Sequence, residues 1–222
     1  MDLRYIPGAT HLMAGASGSG KTYTVAEILM HKNDMFVNGA GIRNVVFFYN
    51  TWQNIYSRLN DLNVVNQWIN KMPTNEEFVD AVSEHRDKGG SIVVIDDFMT
   101  EITRDLVEIV TVTSRHMNTS TFILFQSLFP PNPLARQISL NVKYIYVFKN
   151  PRENAQIGYL LRQVNPTDYK WMVGVYHQVT KKPYSALLID LTQECPDSMR
   201  LRSSFLPSQL PMVVWRKKGA SI

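Results

Sequence analysis

Residues Gly15-Ala16-Ser17-Gly18-Ser19-Gly20-Lys21-Thr22 read G-x-x-x-x-G-K-[ST]. They stand between a short apolar run, Thr10–Ala14, and a helical pattern marked by Val25, Ile28 and Leu29. Glycines let such a loop curl until successive backbone N–H groups point at one place, and the following helix adds partial positive charge there. That arrangement cradles phosphate, and it requires the strand–loop–helix context found here. With glycine near ~5–7% of residues, the four fixed positions coincide by chance on the order of once in a hundred or less in a chain this long. All eight residues are therefore candidate nucleotide contacts. Lys21 is expected to neutralise the β and γ phosphates as a solvent-facing ligand group, and the Thr22 hydroxyl to ligate Mg²⁺.

The rest of the chain supports that context. Buried strands are expected at Thr10–Ala14, Asn44–Tyr49, Ser91–Ile95, Thr121–Phe125, Tyr144–Phe148 and Ala186–Leu191, runs that are short, β-branched or aromatic and mostly not alternating. Helical stripes lie between them: Ile55, Leu59 and Leu62 with Trp68 and Ile69 further on, then Phe78, Val79 and Val82 behind a capping box at Thr74–Glu77. Further stripes run through Ile102, Leu106, Ile109, Val110 and Thr113, and through Ile157, Leu160, Leu161 and Val164 behind a start at Asn150-Pro151. The alternation predicts an α/β P-loop NTPase, a mostly parallel central sheet with helices on both faces. Residues 1–208 are expected to form the ATPase domain, and 209–222 a C-terminal strand and a mobile basic tail. Four tryptophans, ten tyrosines and ten phenylalanines can build its core, which excludes disorder along the chain. One cysteine, Cys195, excludes an internal disulfide framework and reads as an ordinary thiol. The five histidines lack metal-binding spacing, and no run suggests a secretory signal or a membrane span. A soluble intracellular protein is the expectation. The net charge of +4 permits an anionic partner.

Two further segments carry chemistry. Ser91-Ile92-Val93-Val94-Ile95-Asp96-Asp97 is an apolar strand ending in two carboxylates, the Walker B pattern. Asp96 would hold Mg²⁺ and Asp97 would polarise the attacking water, with Glu101 a rival for that role. Thr121–Phe125 runs apolar and then presents Gln126, placed to sense a γ-phosphate if its strand lies beside the loop strand.

In this order the elements resemble the FtsK–HerA group of DNA-pumping ATPases, and Arg115 in Ser114-Arg115-His116 looks like the arginine stretch these motors place before their sensor strand. The C-terminal third is more specific: Gln126-Ser127-Leu128-Phe129, Ser139-Leu140-Asn141, Phe148-Lys149-Asn150-Pro151-Arg152 with Gln156, Lys182-Pro183-Tyr184 leading into Leu187–Leu191, and Arg200-Leu201-Arg202. These blocks resemble genome-packaging ATPases of Maverick/Polinton elements, adintoviruses and poxvirus-like viruses. Gln126-Ser127 departs from the usual Gln-Asn.

The resemblance implies ATP-driven translocation of double-stranded DNA into a capsid by a homo-oligomeric ring at a capsid or portal vertex. It places the protein inside the host cell or with the virion, with nucleus or cytoplasm left open. It also implies a trans-acting arginine, for which Arg115 comes first, ahead of Arg136 and Arg152; a helix-end arginine complementing the dipole is the plainer reading of Arg115. Two other functions remain open. One is a small-molecule kinase with Arg152–Arg162 as its lid, and the other a nucleotide-gated scaffold.

Overall fold

The computed structural model describes residues 2–98 and 102–217. Its strands are β1 Thr10–Ala14, β2 Asn44–Tyr49, β3 Gln67–Ile69, β4 Ser91–Asp96, β5 Thr119–Phe125, β6 Tyr144–Phe148, β7 Ala186–Asp190, β8 Leu201–Ser203 and β9 Val213–Val214. They form one sheet in the order β3-β2-β4-β5-β1-β6-β7-β8-β9. The strands from β3 to β6 in that order are mutually parallel, and β7, β8 and β9 add on antiparallel. β5 therefore lies between the phosphate-loop strand β1 and the acidic strand β4, in register Ala14–Phe125 and Asp96–Leu124.

The sheet is covered on both faces, which explains why its strands are apolar without alternation. Along β4, Ile92 and Val94 enter the core beneath α1 (Lys21–Met30) and α3 (Asn54–Asp61). Val93 and Ile95 enter the opposite core, beneath α4 (Asn75–Val82), α5 (Arg104–Glu108), α7 (Pro133–Asn141), α8 (Asn154–Val164) and α9 (Tyr169–Val179). Two further helices are short, α2 Lys32–Met35 and α6 Ser114–His116. The α4 capping box forms as its sequence predicts. Thr74 Oγ1 accepts the Glu77 N–H at 3.2 Å, and the Glu77 carboxylate accepts the Thr74 N–H at 3.1 Å.

Four local expectations are corrected. Trp68 and Ile69 belong to the short edge strand β3, because β2 pairs with them in parallel. On α3 the buried face is Tyr56 and Leu59, while Leu62 is exposed just past the helix. The helix expected from Asn150 starts at Asn154. Asn150 and Pro151 instead open a turn in which the Asn150 carbonyl accepts the Glu153 N–H at 3.1 Å and its side chain accepts the Arg152 N–H at 3.2 Å. The basic tail is tied down as far as Lys217. Trp215 N–H donates to the Leu201 carbonyl at 2.9 Å, and Lys217 pairs with Asp168 at 2.6 Å. Lys218 and Gly219 lie outside the described residues.

Candidate active site

All the strands from β3 to β6 end on one side, and the candidate residues gather there because parallel strands share one carboxyl edge. Gly15 leaves β1 with its N–H on the Phe125 carbonyl at 3.2 Å. A Cβ at Gly15 would come within 2.5 Å of the Phe148 Cβ, so the residue must be glycine for β1 and β6 to close at this end. Gly20 has φ +104, a left-handed conformation that turns the chain into α1.

Lys21 is not the solvent-facing group its sequence setting suggests. Its side chain is buried, and Nζ donates to the carbonyls of Gly15 at 2.6 Å and Ala16 at 3.0 Å. Burial lowers its pKa, opposed by the nearby charges of Asp96 and Asp97. A buried ammonium whose hydrogen bonds among the described residues go to neutral carbonyls is well matched to an entering polyanion.

Asp96 is also buried. Its Oδ2 accepts from the Thr22 hydroxyl at 3.1 Å and from the Tyr56 hydroxyl at 2.7 Å. Desolvation raises its pKa, while the two hydroxyls and the Lys21 charge pull it back down. The Tyr56 hydroxyl is raised in turn, first by burial and then by the adjacent carboxylate. Thr22 and Asp96 thus present two hard oxygens side by side, a set that suits Mg²⁺ completed by phosphate and water. Among the described residues no group of three or more His, Cys, Asp or Glu side chains could hold a metal ion.

Asp97, the next residue, has φ 69. Asp tolerates the left-handed region better than bulkier residues, and non-glycine outliers of this kind concentrate at functional sites. The turn directs Asp97 to a different partner: Gln126 Nε2, at the end of β5, donates to Asp97 Oδ1 at 3.0 Å. Behind them Asn50 donates to the Asp97 carbonyl at 3.4 Å, and Asn70 donates to the carbonyls of Tyr49 and Asn50 at 3.0 and 2.7 Å. The loop after Gln126 is fixed by the Leu128 N–H on the Glu153 carboxylate at 3.1 Å.

The structure therefore brings Gly15–Thr22, Asp96, Asp97 and Gln126 to one edge. Glu101 lies outside the described residues. Arg115, exposed on α6, precedes β5 and lines a 370 Å³ hollow with Gly8, Lys143 and Glu194. That hollow is at the amino-terminal ends of β1 and β5, the far edge from its own phosphate loop. Exposed Arg152, in the turn after β6, is at the loop's edge instead. Exposed Arg136 is on α7. The segment considered as a lid is mostly α8, anchored by buried Ile157, Leu160 and Leu161. Trp52 stands in the loop before α3, 45% exposed. Sequence reasoning missed Tyr56. Its only sequence signal was a tyrosine three residues before Leu59 on an amphipathic helix, and its partner is 40 positions away.

No family model matches the chain, and no curated protein matches it. Solved structures do. The DNA-packaging ATPase B204 from Sulfolobus Turreted Icosahedral Virus is similar at TM-score 0.55 and 17% identity, over 85% of this chain and 95% of that one. The genome-packaging NTPase B204 from Sulfolobus turreted icosahedral virus 2, solved with ATPγS, gives 0.55 and 16% over the same shares. A KaiC-like protein from Pyrococcus horikoshii gives 0.51 and 11%, over 89% of this chain and 85% of that one. These structural likenesses establish the fold, an α/β P-loop NTPase with a mostly parallel sheet. Among the described residues no helix is long and apolar enough to cross a membrane.

Proposed function

We propose that this chain is an ATPase that couples ATP hydrolysis to movement of double-stranded DNA into a viral capsid, acting as a ring of identical subunits. The observation that carries the hydrolytic reading is the division of labour between consecutive carboxylates. Asp96 is held by Thr22 and Tyr56, and Asp97 by Gln126.

The loop N–H groups and Lys21 bind the phosphates and offset charge growing on the γ oxygens. Thr22 and Asp96 would hold Mg²⁺, which when bound neutralises phosphate charge. Asp96, buried and shared between the Thr22 and Tyr56 hydroxyls, is assigned to the metal in this reading, which leaves the water to Asp97. Asp97 is half-buried with one carboxylate oxygen engaged by Gln126, leaving the other to accept the proton. The Gln126 amide fixes the carboxylate and keeps its own carbonyl oxygen for the same water. Glu101 is the other candidate base.

A small-molecule kinase needs a mobile lid over an acceptor; here the candidate segment is packed into the core as α8, which favours water as the acceptor. The packaging role draws support from the C-terminal sequence blocks and from the likeness to B204, a DNA-packaging ATPase. The positive net charge suits sequence-independent contact with DNA phosphates. Arg115, remote from its own site and exposed, is the trans arginine in this reading: a ring interface would carry it to a neighbour's γ-phosphate.

The test is phosphate release with linear double-stranded DNA titrated at several salt concentrations. Release is expected to rise with DNA, and the stimulation to fall as salt rises. Hydrolysis indifferent to DNA at the lowest salt would refute DNA coupling and favour a nucleotide-gated scaffold. Transfer of phosphate to a small acceptor would restore the kinase.

A further inference from the structure

Beside the phosphate loop the surface opens into a cleft of 600 Å³, within the size range of small-molecule sites. It runs on from Lys21 and Thr22, so a ligand whose phosphates occupy the loop has its far end here. Its outer walls are Tyr23 on α1, Gln53 and Ile55 at the start of α3, and Tyr184 in the turn before β7. The hydrolytic chemistry uses none of these four side chains.

Tyr184 is 67% exposed and has φ 60, a backbone region that bulky residues seldom occupy. The same turn brings it against the last glycine of the loop, where a Cβ on Gly20 would stand 3.2 Å from the Tyr184 Cβ. An aromatic ring is thus set at the loop by a strained turn while most of its surface stays in solvent. Core packing does not explain that placement; a ligand face does. Tyr23, 51% exposed, offers a second ring.

We propose that this cleft takes the base and ribose of the nucleotide, with Tyr184 as the stacking platform and Gln53 selecting adenine. The proposal rests on the nucleotide-binding reading above. Any base can stack on an aromatic face, so Tyr184 supplies affinity without choosing the base. Gln53 supplies choice. Its amide carries one donor and one acceptor side, matching the N6 amino group and N7 of adenine. Guanine presents two acceptors on the corresponding edge and leaves the Gln53 carbonyl facing an acceptor. Ile55 and Tyr23 add apolar contact to the base and sugar.

The test measures binding of ATP, GTP and inorganic tripolyphosphate to the full chain by calorimetry with Mg²⁺. Tyr184→Asn deletes the ring with a residue that accepts the left-handed backbone. It is expected to weaken ATP about tenfold or more and leave tripolyphosphate unchanged. Tyr184→Phe should bind ATP as the wild type does, and Gln53→Leu should bring ATP and GTP to equal affinity. Unchanged ATP binding by Tyr184→Asn would overturn the stacking role. Equal losses of ATP and tripolyphosphate would overturn it too, marking Tyr184 as a support for the loop. A wild type without preference for ATP, or a preference that survives Gln53→Leu, would overturn the edge-reading role. A wild type that binds tripolyphosphate while Tyr184→Asn keeps full ATP affinity refutes only this inference; one that binds none of the three ligands refutes the phosphate-loop reading as well.

Discussion

Replacing Tyr56 by Phe removes one oxygen and little else. The ring stays packed against Phe47 and Trp68, whose centroids lie 4.8 and 5.4 Å away. What is lost is the 2.7 Å donation to Asp96, a buried carboxylate whose only other side-chain donor among the described residues is Thr22. A hydrogen bond to a charged group contributes about 1.5–3 kcal/mol, and 1.4 kcal/mol is about tenfold in an equilibrium constant. If the full bond is lost, Mg²⁺-dependent ATP binding should weaken by about 10- to 150-fold. The lower end is expected at high pH, where Asp96 ionises even without Tyr56; at lower pH it escapes by keeping a proton that Mg²⁺ must displace, and the loss grows.

That escape gives the prediction a pH signature. Burial already raises the Asp96 pKa above its unfolded value, so its ionisation opposes folding. The group's contribution to stability is complete below the unfolded pKa and is lost as pH rises through the folded pKa. Deleting a donor that lowers this pKa moves it higher still. Without nucleotide, Tyr56→Phe should therefore lose melting temperature relative to wild type as pH rises through that range. With Mg²⁺ and ATP the acid limb of binding should shift to higher pH, so that the variant's deficit is larger at pH 6 than at pH 8. Calorimetric titration at both pH values and a melting series without nucleotide read these effects. Wild-type affinity for Mg²⁺–ATP at both pH values would refute the argument that Tyr56 holds Asp96 for the metal.

Two further outcomes are expected. Asp97→Asn should keep ATP binding and lose turnover at least a hundredfold, since an amide cannot accept the water's proton; single-turnover hydrolysis measures this, and full turnover alongside an inactive Glu101→Gln would transfer the role to Glu101. Arg115→Ala should bind ATP and hydrolyse it slowly, by on the order of 10³-fold if the arginine acts on a neighbour's γ-phosphate. Mixing it with Lys21→Ala should restore some phosphate release, because some interfaces then pair an intact loop with an intact arginine. Co-assembled mixtures that never recover activity would make Arg115 a helix-end residue alone.

Local patterning determined much of this molecule. A short apolar run followed by Gly15–Thr22 can hardly be other than strand, loop and helix, and the six strands expected from the sequence fall at or within a few residues of their observed bounds. The same holds for the α4 capping box and for Asp96 and Asp97 at the end of β4. Each rests on neighbours in the chain, on propensity and on period, which short segments carry with them.

Tertiary structure decided what depended on a partner elsewhere. Trp68 and Ile69 are extended because β2 offers them an edge, whatever helical pattern they continue. The helix after β6 starts late because Asn150 and Pro151 are used in a turn and Glu153 holds the Leu128 N–H of the neighbouring loop. Lys21 is buried by the loop folding over it, which no count of its neighbours in sequence reveals. The pairs Tyr56–Asp96, Gln126–Asp97 and Tyr184–Gly20 join segments from separate strands and helices. Their contacts exist only once the parallel strands have brought their carboxyl ends to one edge. The sequence named most of the groups at that edge. Only the packed sheet, by fixing register between distant segments, decided which of them meet.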